Sequence, residues 1–255
     1  MRQKKNGEKS NYPQIKNMKI KVELKNYTLR ETLTGIRINK FLSDFGALSR
    51  READKLIEAK KIHINNKIAI LGDKVAEGDS IFINEKLKSH KYFIYNKKRG
   101  EETAFKTINN LKCDPVGRLD KESEGLLIYS NDFRIVDALL NPKNQFEREY
   151  IVMVREKTTP RVKTLLEKGI RTREAIYAPA KKVTLDAENK NLIRIVLTEG
   201  KKHEIRRMLN ALNFTISSLK RVRFLFLKLD NLSPGHMREL KEAEVEKLLK
   251  TLKIK

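Results

Sequence analysis

The sequence predicts an α+β protein of two domains, a small module of helices and strands followed by a larger domain with a largely antiparallel sheet. Three observations predict this organisation. Between residues 36 and 84, apolar residues recur first at helical spacing and then at alternating spacing. A polar segment without apolar periodicity, residues 85–91, follows as a linker. In residues 92–255, strand and helix patterns are interspersed without the regular alternation that a doubly wound sheet needs.

The charge balance indicates a polyanionic partner. The chain has 255 residues, of which 56 are Lys or Arg and 33 are Asp or Glu, so its formal net charge is +23. This excess is spread along the chain, which favours nucleic acid as the partner. Residues 1–35 are rich in Lys, Asn and Gln and are expected to form a basic flexible tail. On charge alone, a solubilising arm and a segment attracted to RNA phosphates explain this tail equally well.

Several classes of protein are not expected. No run approaches the roughly 18 apolar residues of a membrane span, and the N-terminus lacks the apolar core of a signal peptide. We therefore expect a cytoplasmic protein that does not associate with a membrane. Cys113 is the only cysteine, and the four histidines lack the spacing HxxxH, so no metal site is predicted. No glycine-rich run matches a nucleotide fingerprint, and no cofactor is implied.

The first module combines two helices with a small hairpin. The apolar residues that predict its first helix are Ile38, Phe41, Leu42 and Phe45. Ser49 followed by Glu52 forms a capping box that opens the second helix. Alternating isoleucines on either side of Asn65-Asn66 predict the hairpin, and a last strand covers residues 81–83.

Basic side chains cluster around the turn and the second helix of this module. The candidates for contact with RNA are Arg37, Lys40, Arg50, Arg51 and Lys55. A charge run is also typical of a solvated helix face, so charge alone leaves both interpretations open.

The larger domain begins with a strand at residues 92–95. The further strands are expected at 125–130, 150–154, 175–183, 192–197 and 224–229, and the helices at 133–140, 160–168, 203–212 and 242–249. Thr159-Pro160 is a cap and first-turn pair that opens the second of these helices.

Three polar segments of this domain carry candidate chemistry. The first, GRLD at residues 117–120, places a carboxylate in a turn directly before an apolar strand. The others are REYIV at 148–152 and LTEGKKHEIRRM at 197–208. An Asp before a strand is more often a turn former, so the first segment alone does not predict a catalytic site.

Together with RINKFLSDFGALSRREADKLIEAKKIHINNK in the first module, these segments resemble the RsuA-type bacterial ribosomal RNA pseudouridine synthases. Residues 36–84 resemble the S4 RNA-binding module, and the likeness extends in the family's order to about residue 250. The resemblance implies an S4 domain at 36–84 and a pseudouridine synthase domain at 92–255. It also implies that the protein isomerises one uridine without a cofactor, in ribosomal RNA or a pre-ribosomal particle.

The resemblance implies roles for individual residues. Asp120 matches the family's catalytic aspartate, Tyr150 the tyrosine that stacks on the target base, and Arg206 the basic residue paired with the aspartate. Leu197 matches an apolar wall position. Arg118, which precedes Asp120 by two residues, is expected to grip a flanking phosphate or to brace the loop.

The chemistry of the reaction agrees with these roles. Pseudouridine formation breaks the C1′–N1 bond, turns the uracil and rejoins it through C5. An ionised Asp120 would either attack C1′ or remove a neighbouring sugar proton, and the residues do not decide between these routes. The positive charge of Arg206 would favour the ionised form. Extrusion of the uridine costs energy, and stacking on Tyr150 would recover about 1–3 kcal/mol.

The sequence departs from the family pattern at two positions. Lys98 stands where relatives usually have Pro, and Glu204 stands where Gln is usual. Neither change removes a catalytic group, but they raise questions about the turn near Gly100 and about one polar contact near the cleft. His203 is expected to be a structural hydrogen-bonding residue rather than a catalytic one.

An enzyme acting on ribosomal RNA is the leading hypothesis, with RNA of the large subunit favoured. A transfer RNA substrate is one alternative, and a non-catalytic RNA-binding protein of ribosome assembly is another, although intact Asp120, Tyr150 and Arg206 argue against the latter. A metal-dependent RNA hydrolase would need a carboxylate cluster such as Asp-x-Asp, which is missing near GRLD. We expect a monomer because no long apolar heptad pattern is evident.

Overall fold

A computed structural model describes residues 18–25, 27–85, 87, 89–172 and 175–254. These residues form two compact units that divide between His90 and Lys91. None of the helices in the described ranges has the length and apolar character that crossing a membrane requires.

The first unit combines a four-stranded antiparallel sheet with three helices. Its elements are β1 (Met18–Lys21), α1 (Leu29–Thr34), β2 (Ile36–Arg37), α2 (Ile38–Asp44), α3 (Arg50–Glu58), β3 (Ile62–Ile64), β4 (Lys67–Ile68), β5 (Lys74–Val75) and β6 (Ser80–Ile83). The sheet order is β1-β6-β3-β4, and β2 pairs with β5. The capping box of Ser49 and Glu52 is confirmed. The hairpin is confirmed as well, with Ile64 opposite Lys67.

The expected extent of the N-terminal tail, residues 1–35, is wrong over its second half. Residues 18–21 form β1, which pairs with β6, and residues 29–34 form α1. The side chains buried in the core of this unit include Ile20, Val22 and Leu24. Apolar and charged residues alternate here, which is a strand pattern that the basic composition obscures. Residues 1–17 of the expected tail lie outside the described residues.

The second unit is built on one large sheet. Its elements are β7 (Tyr92–Lys97), β8 (Lys106–Ile108), β9 (Leu111–Val116), β10 (Glu124–Ser130), α4 (Phe133–Leu140), a 3-10 turn (Pro142–Asn144), β11 (Arg148–Val154), α5 (Pro160–Lys168), β12 (Ile170–Arg171), β13 (Ile176–Tyr177), β14 (Lys182–Leu185), β15 (Leu192–Leu197), α6 (Glu204–Asn210), β16 (Ile216–Phe224), β17 (Leu227–Lys228), β18 (Met237–Glu239) and α7 (Glu242–Leu252).

The strand pairing confirms the α+β class and the largely antiparallel sheet. The main order is β14-β15-β11-β16-β10-β7-β18, with β9 also pairing with β10. Among the described strands of this sheet, only β10 and β16 pair in parallel. One apolar cluster contains residues of α5 and α6, and a second contains residues of α4 and α7. The segments that carry the candidate chemistry therefore meet in a well-packed domain.

Three features differ from the expected element pattern. The hairpin of β8 and β9 was not predicted, and its turn uses Asn109 and Asn110 with φ of 49° and 62°, as hairpin turns of the primed type do. The strand expected at 175–183 is wrong, because β13 and β14 are separate strands with Pro179, which has no N–H to donate, between them. The strand expected at 224–229 is also wrong, since β16 ends at residue 224.

A close approach of two backbones joins the halves of the sheet. Gly125, near the start of β10, lies opposite Arg221 of β16 in the parallel pairing. Its φ is +104°, and a Cβ atom at this position would lie 2.2 Å from the Arg221 carbonyl oxygen. Glycine is therefore required here, directly after the turn that carries the candidate carboxylate.

Candidate active site

The turn between β9 and β10, residues 117–123, carries Asp120 near its centre. Thr103 holds this turn through its hydroxyl, which donates to the Leu119 carbonyl at 2.8 Å and accepts from the Leu119 amide at 3.2 Å. Within the turn, the Ser123 amide donates to the Asp120 carbonyl at 3.0 Å. These bonds hold the backbone on both sides of the carboxylate, as a precise site requires.

A buried lysine, Lys97, stabilises the turn that carries Asp120. Lys97 ends β7 and is fully buried, and its ammonium donates to the carbonyls of Lys98, Lys121 and Ser123 at 3.0, 3.1 and 2.6 Å. Burial lowers the pKa of Lys97, and the negative charges of Glu101 and then Asp120 oppose that shift. One ammonium group thus fastens the end of β7 to the turn that carries the carboxylate.

The turn near Gly100 is well formed, although Lys98 departs from the family pattern there. Gly100 adopts φ of +81°, and its amide donates to the Lys121 carbonyl at 2.8 Å. Glu101 accepts a hydrogen bond from the Lys98 amide at 3.3 Å. The segment after β7 therefore reaches the Asp120 turn with lysine in the place of the usual proline.

Two basic side chains flank the carboxylate of Asp120. The Nε atom of Arg206 lies 3.5 Å from Oδ2, and the Nε2 atom of His203 lies 3.3 Å from Oδ1. The Asp120 side chain is 35% exposed. The carboxylate is consequently held on both oxygens and still open to a substrate.

Both basic side chains come from the start of α6. His203 precedes the helix with φ of 56° and ψ of 25°, and Arg206 lies within its first turn. The Nη2 atom of Arg206 also donates to the hydroxyl of buried Ser123 at 3.0 Å. Arg206 therefore bridges the carboxylate and the end of its turn.

Apolar side chains adjoin the turn. Leu119, Tyr150, Leu197 and Ile205 belong to one apolar cluster, and only 9% of Tyr150 is exposed. Tyr150 lies on β11 opposite Ile195 of β15. The structure thus places Tyr150 and Leu197 in the same apolar cluster as Leu119, the residue before Asp120.

Arg118 of the GRLD segment and Arg148 of the REYIV segment lie in different environments. Arg118 is exposed on the turn and is accessible to an incoming ligand. Arg148 is buried and donates to the carbonyls of Leu139, Thr198 and Glu199 at 3.1, 3.2 and 3.3 Å. Arg148 therefore braces the segment that leads into α6.

Glu204, the second departure from the family pattern, is a buried carboxyl group at the first position of α6. It is 5% exposed and accepts a hydrogen bond from the Lys201 amide at 3.1 Å. Burial raises the pKa of Glu204, because a charged carboxylate is poorly solvated there.

Glu204→Gln is expected to stabilise the protein at pH 7 by about 1 kcal/mol. The amide keeps an acceptor for the Lys201 amide and carries no buried charge. Because folding raises the pKa of Glu204, the native state binds more protons, and the stability of the wild type falls as pH rises through the folded pKa. The advantage of glutamine should therefore shrink as pH falls through the folded pKa of Glu204 toward the ordinary value of 4.5. Urea denaturation between pH 4 and 8 measures this difference.

The matched control is Glu242→Gln, the same change at the first position of α7, where the side chain is exposed. It should give no stabilisation, since the carboxylate interacts favourably with the helix N-terminus in water. Equal stabilities of the Glu204→Gln variant and the wild type across the pH range would contradict the prediction.

The first unit presents most of its RNA-contact candidates to solvent. The exposed ones are Arg37, Arg50, Arg51 and Lys55. Lys40 is engaged instead, with its ammonium 2.7 Å from Glu31 and 3.5 Å from Asp44. The hydrogen bonds from Lys40 and Thr28 lower the pKa of Glu31 to about 2. The charge of Lys40 is therefore partly neutralised within the unit.

Sequence reasoning missed three residues of the site. Thr103 lies in a segment that showed no motif, and Lys97 lies in a segment that was considered only for the departure at Lys98. The roles of both depend on a turn about 20 residues away. His203 stands inside the segment LTEGKKHEIRRM, but its expected structural role gave no indication of the contact with Asp120. For His203, the proximity to Arg206 in the sequence was the available signal.

The comparisons with known proteins agree on both units. Residues 84–211 match the family model described as RNA pseudouridylate synthase. Residues 36–81 match the S4 domain model.

Similar proteins cover nearly the whole chain. The chain is 34% identical over 233 residues to ribosomal large subunit pseudouridine synthase B of Bacillus subtilis, covering 83% of this chain and 95% of the relative. It is 34% identical to an uncharacterized RNA pseudouridine synthase of Aquifex aeolicus, covering 86% and 96%. It is 29% identical to the dual-specificity RNA pseudouridine synthase RluF of Escherichia coli, covering 86% and 80%. A crystal structure of a pseudouridylate synthase superposes with a TM-score of 0.61 at 26% identity, covering 84% of this chain and 99% of that one.

Proposed function

Because the chain belongs to the RNA pseudouridylate synthase family, we propose that it converts a uridine of ribosomal RNA to pseudouridine, with RNA of the large subunit as substrate. The isomerase class follows from the family. The net charge of +23 supports an RNA partner, and the relative in Bacillus subtilis is named for the ribosomal large subunit. In this proposal the protein works as a monomer in the cytoplasm, on ribosomal RNA or a pre-ribosomal particle, without a cofactor.

The observation that carries the catalytic assignment is the position of Asp120. Its carboxylate is accessible and lies on a turn fastened by Thr103 and Lys97, with Arg206 3.5 Å away. In the reaction, the C1′–N1 bond breaks and the C1′–C5 bond forms, while C5 loses a proton and N1 gains one. Asp120 acts at the sugar, either by attack on C1′ or by removal of a neighbouring proton. The guanidinium of Arg206 stabilises the carboxylate in its ionised form.

The apolar cluster next to the turn suits a base removed from the stack. In this proposal the ring of Tyr150, which is 9% exposed, stacks on the base, and Leu197 of the same apolar cluster forms an apolar wall. Stacking on an aromatic ring is worth about 1–3 kcal/mol per base, which offsets part of the cost of extrusion. Arg118, exposed on the turn, is positioned to contact a phosphate that flanks the uridine.

The first unit supplies the docking surface in this proposal. Arg50, Arg51 and Lys55 project from α3 into solvent, and Arg37 is exposed before α2. Basic side chains on a rigid helix contact phosphates without reading the base sequence. Lys40 contributes less, because its ammonium is already paired with Glu31.

Replacing Arg50, Arg51 and Lys55 together by alanine should weaken RNA binding and reduce its salt dependence. The variant neutralises fewer phosphates, so its binding releases fewer counterions. The slope of log K against log salt should therefore become shallower by about 2. The three side chains are exposed, so the thermal stability should be nearly unchanged. Filter binding to transcribed ribosomal RNA between 50 and 300 mM salt, on the scale of such titrations, measures both effects.

The control also removes three positive charges, but from β1 and the residues that follow it. Its substitutions are Lys19→Ala, Lys21→Ala and Lys25→Ala. These side chains are also exposed, but they belong to β1 and the segment after it and not to α3. If both triple variants weaken binding equally, total charge rather than the surface of α3 determines the affinity, and the docking assignment is wrong.

Mapping of pseudouridine in cells tests the proposed function. Ribosomal RNA from cells that lack the protein should lose one pseudouridine, in large-subunit RNA, and the wild-type gene should restore it. A gene with Asp120→Asn should not. Transfer RNA is mapped in the same samples, because it is the alternative substrate.

If a pseudouridine is lost only from transfer RNA, the substrate is transfer RNA and the proposed ribosomal RNA substrate is wrong. If all sites survive in both RNA classes, the protein is not a synthase for these substrates, and a binding role in ribosome assembly becomes the better explanation.

A further inference from the structure

His203 contacts the same carboxylate as Arg206, from the other side. Its Nε2 atom lies 3.3 Å from Oδ1 of Asp120, whereas Nε of Arg206 lies 3.5 Å from Oδ2. Each carboxylate oxygen thus has its own nitrogen partner, and both partners come from the start of α6. Two such contacts restrict rotation of the carboxylate, which one contact alone would permit.

The backbone of His203 supports a role for the imidazole itself. The residue adopts φ of 56°, in the left-handed region that favours glycine and asparagine. Its side chain makes no capping hydrogen bond to α6. The conformation of this turn therefore does not require histidine, and strained residues of this kind cluster at functional sites.

We propose that His203 is a positioning residue that orients the Asp120 carboxylate toward the sugar of the bound uridine, as the second member of a pair with Arg206. The inference rests on the proposed function. Nε2 carries a proton in this arrangement and donates it as a hydrogen bond to Oδ1. The present distances are longer than strong charge-assisted hydrogen bonds, as is common in sites without substrate, and we expect both to shorten when the substrate binds.

The surroundings leave the imidazole free to act in this way. Its side chain is 41% exposed, so it faces the open side of the site. Arg206 contacts the other carboxylate oxygen, and Lys97, whose charge also interacts with Asp120, is committed to three carbonyls. Glu204, the next residue along the chain, turns its carboxyl back to the Lys201 amide. His203 is thus the group beside Oδ1 that can donate to it.

The test compares His203→Gly with His203→Gln in the full-length protein. Glycine suits the left-handed backbone and removes the imidazole, so the melting temperature should be unchanged or higher. Misplacement of a catalytic group by about 1 Å can cost about 100-fold in rate, and we expect kcat to fall by about 10- to 100-fold with KM little changed. Glutamine supplies a neutral donor of similar reach and should recover part of the loss in kcat.

The assay is release of tritium from transcribed ribosomal RNA that contains 5-tritiated uridine, since C5 loses its hydrogen when it joins C1′. The control is Asn213→Gly, which follows the other end of α6, is exposed and has φ of 62°. It should leave kcat and KM unchanged.

The outcomes separate this inference from the proposed function. A wild-type protein that releases no tritium from any tested RNA would refute the function and leave no reaction for His203 to assist. With an active wild type, a glycine variant of normal kcat refutes the positioning role. A change in KM alone also refutes it, since His203 would then bind RNA. If the glycine variant does not fold, a glutamine variant with kcat as low as that of His203→Ala refutes the role, and partial recovery supports it.

Discussion

Asp120→Asn is expected to lower kcat for tritium release by at least about 10⁴-fold. The amide has the shape of the carboxylate but cannot attack C1′ or accept a sugar proton under the reaction conditions. Because the Asp120 side chain is 35% exposed, the change should shift the melting temperature by no more than about 2–4 °C. The variant should still bind ribosomal RNA, since its docking surface is intact, and this separates binding from chemistry.

Asp114→Asn is the matched control, because Asp114 is a half-buried aspartate on β9, the strand that leads into the turn. It should retain wild-type kcat. An Asp120→Asn variant with more than a tenth of wild-type activity would show that another group performs the chemistry at the sugar.

Lys97→Met is expected to cause the largest loss of stability among the substitutions considered. Methionine fills the space, but the carbonyls of Lys98, Lys121 and Ser123 lose the ammonium as a donor, and those of Lys98 and Lys121 keep only a backbone amide each. Each hydrogen bond lost from the ammonium costs roughly 1 kcal/mol or more, and relief from burying the charge offsets part of this, so the free energy of unfolding should fall by about 2 kcal/mol. A displaced turn should also reduce kcat by about 100-fold.

The pH dependence of this loss has a definite sign. Burial lowers the pKa of Lys97 below the ordinary value of 10.5, so the unfolded state binds more protons between the folded pKa and that value. The stability of the wild type relative to the Lys97→Met variant should therefore rise with pH in this window. Urea denaturation from pH 7 to 10 measures the difference.

Lys121→Met provides the comparison, since Lys121 is exposed on the same turn and contributes its backbone carbonyl rather than its ammonium. It should change the stability by less than about 0.5 kcal/mol. If both methionine variants are equally stable at every pH, the ammonium of Lys97 does not hold the turn.

Elements with local signals could be predicted from the sequence. The capping box at Ser49 and the paired asparagines at 65–66 are read within a few residues, and both are confirmed. The helix expected at 133–140 has the same bounds in the structure. Such signals depend on hydrogen bonds and apolar spacing within one element, so the rest of the fold does not alter them.

Elements whose burial depends on distant partners could not be predicted in this way. β16 contains several basic residues and looks like a surface segment, yet Arg221 is buried and donates to the Leu126 carbonyl. Arg148 is buried for a similar reason, since carbonyls of α4 and of the segment after β15 accept from it. The charge of a side chain does not reveal in advance which carbonyls the fold will bring to it.

The candidate site was partly accessible through motifs. Asp120, Tyr150 and Arg206 were selected because their segments resemble a family, whereas spacing alone did not distinguish Asp120 from a turn former. The contact of His203 with Oδ1 depends on a left-handed backbone at the start of α6. No short-range pattern specifies that conformation for histidine.

The parallel pairing of β10 with β16 sets the order in which the protein becomes active during synthesis. The hydrogen bond from Arg221 to the Leu126 carbonyl, within this pairing, joins residues 95 positions apart. Closure of so long a loop comes late and slowly in folding. The first unit closes its core within about 90 residues and can fold while the ribosome is still translating the rest. A nascent chain therefore completes the helices that we propose to dock RNA well before His203 and Arg206, the partners of Asp120, emerge. Under the proposed function, RNA capture would precede catalytic competence in the life of each molecule.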